Sequence, residues 1–231
     1  MLIGNNGGTA RDLKYHSILT GYLEGLPSVS NATAFNGSRI VAINQPIVLL
    51  YRMAYGSEYP NSIFPYNRTI TILSDSAIAK PDFSKKKQTL YSYDLIIPQN
   101  NKGNLFSYMK QDLERYFGLN AQVERRKIEC LALIKAGNGP IRSAVKDYFL
   151  DISAFWLKMD SVTASMLASE LDRNMQISML PVLNETGIDY PFDIDIKARL
   201  SDPSAVKSQL NKHGLDLIRV RRELEVLILK D

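Results

Sequence analysis

Apolar positions follow two different periods along this chain, one typical of strands and one typical of helices. Residues 67–74 alternate Ile70 and Ile72 with threonines, which indicates a half-exposed strand. Residues 104–117 carry apolar side chains at helical spacing and end at Gly118, which predicts a helix with a glycine stop. Strand-like and helix-like segments therefore alternate along the chain.

The same order of segments occurs twice. The sequence ERRKIECLALIK (124–135) is similar to VRRELEVLILKD (220–231), with Arg125, Arg126 and Glu129 matching Arg221, Arg222 and Glu225. Aligning the glycines that precede these segments extends the match upstream, so that Tyr93-Asp94 corresponds to Phe192-Asp193. A repeat of about 100 residues predicts two copies of one structural unit.

The pattern predicts an α+β fold of two tandem βαββαβ-type modules, with helices packed on one face of small mixed sheets. We expect a weakly patterned N-terminal segment over residues 1–37 and a first module over residues 38–135. A linker is expected over residues 136–152, where Gly, Pro and small polar residues concentrate, and a second module over residues 153–231.

Local expectations concern the ends of these elements. One helix is expected to start at Asp202-Pro203, with the proline in its first turn. A short helix is predicted around Asp12–Tyr22, and Asn44 is expected to cap a helix that has Pro46 in its first turn. Each module is expected to close with a pair of short strands, and in the first module this pair turns around Arg126.

Composition restricts the class of protein. The chain has 231 residues, of which 45% are hydrophobic and 23% are charged, as in a globular protein that buries a core. The formal net charge of +4 is weaker than the basic field of a dedicated nucleic-acid binder, so we expect no nucleic-acid partner. No apolar run reaches the roughly 20 residues of a membrane span, and no signal peptide is visible. The chain is consistent with an excised part of a larger protein.

Candidates for catalysis are few. His16 and His213 are the only histidines, and Cys130 is the only cysteine, within an apolar strand pattern. Asp193 and Asp195 alternate on one strand, which suits an acid–base pair, a cation site or a solvated polar face. We therefore expect a protein that is not an enzyme, with no catalytic residue, no metal site and no cofactor.

Paired arginines are the best candidates for contact with a partner. Arg125-Arg126 and Arg221-Arg222 occupy the same position in the two copies. They could form two equivalent contacts to an anionic group or a partner protein. They could equally keep a hairpin tip soluble.

Three passages, 37–56, 93–138 and 162–198 with its continuation to residue 231, together resemble a family of uncharacterised bacterial proteins. These are the soil-associated proteins, which in Bacteroidetes are often attached to thioredoxin-like redoxin domains. The most specific piece is PVLNETG (181–187), followed by the aromatic-Asp strand that begins at Tyr190. Each half is also similar to the short N-terminal module of secretins and TonB-dependent receptors. The resemblance implies an extracytoplasmic domain, in the periplasm or cell envelope, and supplies no catalytic residue.

The sequence therefore favours a non-catalytic extracytoplasmic domain that binds a protein partner in the cell envelope. Two alternatives remain open. In the first, the chain is an accessory or substrate-recognition domain of a thioredoxin-like redox protein. In the second, a small molecule or a glycan binds in the cleft between the modules. The oligomeric state does not follow from the sequence.

Overall fold

The structure is a computed structural model that describes residues 14–74, 83–143 and 147–231. It confirms the predicted α+β class, with small sheets and few helices. The described strands are β1 His16–Thr20, β2 Val29–Thr33, β3 Arg39–Pro46, β4 Thr69–Ile72, β5 Leu90–Ile96, β6 Asn120–Lys135, β7 Phe149–Ile152, β8 Trp156–Val162, β9 Val182–Asn184, β10 Phe192–Lys197 and β11 Leu215–Lys230. The described helices of two or more turns are α1 Ile47–Ala54, α2 Leu105–Phe117, α3 Ala164–Asn174 and α4 Pro203–Leu210.

The chain forms two compact units. Of the described residues, the first unit comprises 14–65, 69–74, 83–124 and 226–231, and the second comprises 66–68, 125–143 and 147–225. The chain passes between the units within β6, after residue 124, and within β11, after residue 225. Both of these boundaries lie inside the predicted modules. Residues 136–152, expected to be a linker, include strand β7, which pairs with β8.

The first unit is built on an antiparallel sheet with the strand order β1-β5-β3-β2. The predicted helix around Asp12–Tyr22 is wrong within its described part, because His16–Thr20 is strand β1. Helices α1 and α2 bury their apolar sides against this sheet. Helix α2 ends as predicted at Gly118, whose φ of 68° is left-handed.

The second unit repeats this layout with the antiparallel order β10-β8-β7. Helices α3 and α4 pack against it and form a core with Leu157, Met159 and Phe192. Helix α4 begins as predicted, since the Asp202 side chain accepts hydrogen bonds from the backbone N–H groups of Ser204 and Ala205.

Strands β6 and β11 are each 16 residues long and pass from one unit to the other. The turn predicted around Arg126 is therefore wrong, and the reason is that residues 124–129 contain no Gly, Pro or Asn to reverse the chain. The end of β6 pairs in parallel with β9 in the second unit, where Leu131 is opposite Val182. The end of β11 pairs in parallel with β4 in the first unit. Each repeat therefore completes the other repeat's unit with its last residues.

A bulge with left-handed backbone marks the same place in both repeats. Asn44 (φ 53°) and Ser161 (φ 52°) each lie three residues before the first residue of a helix. The N–H of Asn44 donates to Ser92 Oγ at 3.0 Å, and the N–H of Ser161 donates to Asp193 Oδ1 at 2.8 Å. Ser92 is therefore the counterpart of Asp193, which corrects the alignment predicted from Tyr93-Asp94 by two residues.

The predicted cap at Asn44 is also wrong. Strand β3 continues through Pro46, and the helix begins at Ile47. The Asn44 side chain instead bonds to the loop before β2, accepting from Leu23 N–H at 2.8 Å and donating to the carbonyls of Leu23 and Leu26 at 2.9 Å. Asparagine fits because it tolerates left-handed backbone and carries both a donor and an acceptor.

Candidate functional site

The four arginines predicted to contact a partner lie on neighbouring strands of the second unit. Arg125 and Arg126 are on β6, and Arg221 and Arg222 are on β11. All four are exposed, within stretches where both strands expose most of their side chains. They lie in the middle of long strands and not at a hairpin tip, because β6 does not turn there.

Carboxylates neutralise part of this arginine surface. Arg222 forms a two-pronged ion pair with Glu185, with its Nε and Nη2 at 2.7 and 2.8 Å from the carboxylate oxygens. This pair holds the pKa of Glu185 below its usual value. Arg125 Nε lies 3.6 Å from Glu223 Oε1. Glu185 and Glu223 therefore offset part of the positive charge of the four arginines.

The hairpin of β7 and β8 exposes the other candidate surface. Leu157 and Met159 point into the core of the second unit, so Trp156 and Lys158 project from the opposite face of the sheet. Four aromatic side chains of this hairpin are about half exposed or more: Tyr148 (50%), Phe149 (47%), Phe155 (65%) and Trp156 (45%). A group of large exposed apolar side chains is typical of a surface that binds another molecule.

This hairpin also presents backbone groups. Strand β7 is the edge of the order β10-β8-β7, and among the described residues no strand pairs with its other side. The N–H of Ser153 donates to the carbonyl of Trp156. By alternation, the backbone groups of Leu150 and Ile152 point away from β8, toward the open edge. An extended chain could pair with them.

The other sheet edge of the second unit is partly covered. Residues 142–143 run beside the start of β10, where Arg142 pairs with Phe192 and Ser143 N–H donates to the Pro191 carbonyl. Further along, His213 Nε2 lies 3.0 Å from the carbonyl oxygen of Asp195. Strand β7 is therefore the more accessible edge.

The two predicted acidic residues of β10 have separate partners. Asp193 accepts hydrogen bonds from the Ser143 side chain and the Ser161 N–H, and these lower its pKa. Asp195 lies 3.3 Å from Lys197 Nζ. These contacts match the solvated polar face that was one of the sequence interpretations.

A polar cluster in the first unit fastens strand β1. Asp112 on α2 accepts hydrogen bonds from Ser17 Oγ at 2.5 Å and from the Tyr93 hydroxyl at 2.8 Å. Burial of Tyr93 raises its pKa, so the phenol stays protonated as a donor. His16 is the neighbour of Ser17 on the strand and therefore projects from the other face, where its Nε2 lies 3.3 Å from Asp94 Oδ2.

Several further features describe the chemistry of the described residues. Cys130 is buried, and that burial raises the pKa of its thiol. Residues 14–74, 83–143 and 147–231 contain no group of three or more His, Cys, Asp and Glu side chains that could hold a metal ion. No helix within these ranges has the length and apolar character needed to cross a membrane.

Sequence reasoning missed the aromatic hairpin. The signal was present in the alternation of FLDI (149–152) and WLKM (156–159), which puts Phe149 and Trp156 on the face opposite Leu157. Comparisons of the chain with protein-family models, with curated proteins and with solved structures gave no match.

Proposed function

We propose that this chain is a non-catalytic protein-interaction domain and that its partner docks on the β7–β8 hairpin. The observation that carries the proposal is the coincidence of an open edge strand with four exposed aromatic side chains on one hairpin. Edge strands supply backbone hydrogen bonds to an added strand. Aromatic residues are enriched at protein interfaces, and Trp and Tyr are enriched among the few residues that dominate binding energy.

The docking mode follows from this geometry. A partner segment in extended conformation pairs with the outward backbone groups of Leu150 and Ile152. Its side chains contact Phe149 and Trp156, which are on the open face of the sheet. Lys158 Nζ lies 5.7 Å from the centre of the Phe149 ring and Asp151 is exposed, so polar groups surround the aromatic residues. A polar rim around an aromatic centre is the usual anatomy of an interface.

The cell-envelope location and the relation to soil-associated proteins are proposals that rest on the sequence resemblance alone. The four arginines form a second candidate contact surface. Arg125 and Arg221 are exposed on neighbouring strands and would meet an acidic partner. The two surfaces make different predictions about which substitutions abolish binding.

The test uses peptides selected from a displayed library of random extended sequences against the purified chain. We expect Trp156→Ala and Phe149→Ala each to weaken binding of the selected peptide by tenfold or more, about 1.4 kcal/mol. Tyr116→Ala is the matched control, because Tyr116 is 64% exposed on a helix of the first unit.

The charge reversals Arg125→Glu and Arg221→Glu complete the experiment. If they abolish binding while Trp156→Ala and Phe149→Ala leave it unchanged, the hairpin is not the docking surface. If Tyr116→Ala weakens binding as much as the hairpin substitutions, the effect is not specific to this site.

A further inference from the structure

The second unit contains a cavity of about 330 Å³ beside helix α4. This is within the range of small-molecule sites. Most of its walls are apolar, and two cations line it. The lining residues are Leu131, Leu180, Pro203, Ser204, Lys207, Leu217, Ile218 and Arg219.

The first unit has a tyrosine ring at the corresponding place. Lys110 follows buried Met109 on its helix in the same way that Lys207 follows buried Val206. Lys110 Nζ lies 4.2 Å from the centre of the Tyr55 ring, a cation–π contact. Burial there lowers the pKa of Lys110.

The Tyr55 hydroxyl contacts a backbone carbonyl that also has a counterpart in the second unit. It donates to the carbonyl of Ala121 at 2.5 Å. Ala121 lies three residues after the helix-ending Gly118, as Leu217 lies three residues after Gly214. In the first unit, Lys110 and the Ala121 carbonyl both contact the Tyr55 ring or its hydroxyl. In the second unit, their counterparts Lys207 and Leu217 line the cavity.

At the position that corresponds to Tyr55, the second unit carries an aspartate. Tyr55 lies eight residues after the first residue of α1, and the residue eight after the first of α3 is Asp172. The Asp172 carboxylate is committed elsewhere, since Oδ1 accepts from Asn67 Nδ2 and from the Val182 N–H, both at 2.8 Å. The second repeat therefore keeps the lysine and the carbonyl that contact the ring in the first unit and lacks the ring itself.

The cations of the cavity differ in their surroundings. Lys207 Nζ donates to the carbonyl of Leu217 at 2.8 Å and lies 2.9 Å from Asp216 Oδ1, so its charge is paired. Arg219 is exposed at the rim, and its counterpart in the first unit, two residues after Ala121, is the apolar Val123. The second unit thus adds a guanidinium that can pair with a carboxylate.

We propose that this cavity binds a small aromatic carboxylate. The ring occupies the place that Tyr55 fills in the first unit, between Lys207 and the walls formed by Leu131 and Leu180. The carboxylate pairs with Arg219. This binding function is separate from docking at the β7–β8 hairpin.

The experiment titrates the full chain with 3-phenylpropionate and follows backbone amide signals by NMR. We expect saturable shifts at Leu180, Ser204 and residues 217–219, with 3-phenylpropan-1-ol, which lacks the charge, binding about tenfold more weakly. Arg219→Gln should weaken 3-phenylpropionate by about tenfold and leave the alcohol unchanged. Arg173→Gln is the matched control, because Arg173 is an exposed arginine of the same unit outside the cavity.

Two further variants fill the cavity from different walls. Leu180→Trp and Ile218→Phe should each abolish the shifts while the amide spectrum stays dispersed, and Ile218 tolerates change because it is 36% exposed. The proposal is overturned if 3-phenylpropionate causes no saturable shifts, or if both filled variants still bind it. It is also overturned if only a peptide with a C-terminal phenylalanine binds, since the site would then read a protein terminus.

Discussion

The contrast between Asn44 and Ser161 provides a quantitative test of the repeat. Both residues occupy the bulge before the first helix of their repeat, with left-handed backbone. The Asn44 side chain is buried and makes three hydrogen bonds of 2.8–2.9 Å to the loop at Leu23 and Leu26. Within the described part of the chain, Ser161 Oγ takes part in no hydrogen bond. The two positions therefore share a backbone conformation and differ in the hydrogen bonds that the side chain makes.

We expect Asn44→Ala to lower the free energy of unfolding of the first unit by about 4 kcal/mol. Three hydrogen bonds at about 1 kcal/mol each account for most of this loss. Alanine at a φ of 53° adds about 1 kcal/mol, because asparagine tolerates left-handed backbone through its short polar side chain and alanine lacks that group. Ser161→Ala should change stability by less than about 0.5 kcal/mol, since the position already carries a Cβ and no side-chain hydrogen bond is lost.

Urea unfolding followed by circular dichroism measures both changes. Native-state hydrogen exchange then assigns each change to a unit, which is needed because two units need not unfold in one step. The amides of residues 23–26 should exchange faster in Asn44→Ala alone. A loss below about 1 kcal/mol for Asn44→Ala, or an equal loss for Ser161→Ala, would refute the assignment of the energy to these hydrogen bonds.

Two further predictions follow from shifted pKa values. The ion pair with Arg222 lowers the pKa of folded Glu185, so its stabilising effect is present above the unfolded value of about 4.3 and is lost as pH falls through the lower folded value. Glu185→Gln should therefore remove part of the stability difference between pH 6 and pH 3, and identical pH profiles for the two proteins would contradict the pairing. Burial raises the pKa of the Cys130 thiol, so we expect a disulfide reagent at pH 8 to label it only as fast as the protein opens. Labelling at the rate of a free peptide thiol would show that the residue is accessible in the folded state.

Local chemistry made the helices predictable. The cap at Asp202 and the left-handed stop at Gly118 depend on a few adjacent residues, and both were readable from the chain. The bulge at Asn44 was not readable, because asparagine before a helix suits a cap as well as a left-handed bulge. Only the long-range hydrogen bonds to Leu23 and Leu26 distinguish the two.

The destination of the long strands could not be predicted for a different reason. The apolar ends of β6 and β11, residues 130–133 and 226–229, are both fully apolar runs of nearly the same shape. Either run satisfies the pattern of a buried parallel strand. Their pairing with β9 or β4 is decided by contacts far apart in sequence, which periodicity does not contain.

The sequence also predicted only part of the candidate binding surfaces. The arginines were found because they repeat, but repetition selects what the scaffold shares, and Arg222 is held by Glu185. The aromatic hairpin and the cavity lie where the repeats differ, since Asp172 stands in place of Tyr55 and Phe149 is in a segment outside the matched sequence. In a duplicated fold, the shared positions maintain the structure, and the differences between copies are where a new function can arise without disturbing it.

Each repeat contributes the last residues of its long strand to the core of the other unit, so each unit depends on both repeats for its stability. Leu227 and Leu229 are fully buried in the core of the first unit, although they belong to the second repeat. Leu131 and Leu133 likewise complete the core of the second unit. Removing either repeat would strip buried leucines from the other unit, at about 2–5 kcal/mol for each lost side chain. Neither copy can therefore be lost by deletion, and the copies can diverge in their exposed residues while the exchanged strands keep both folded.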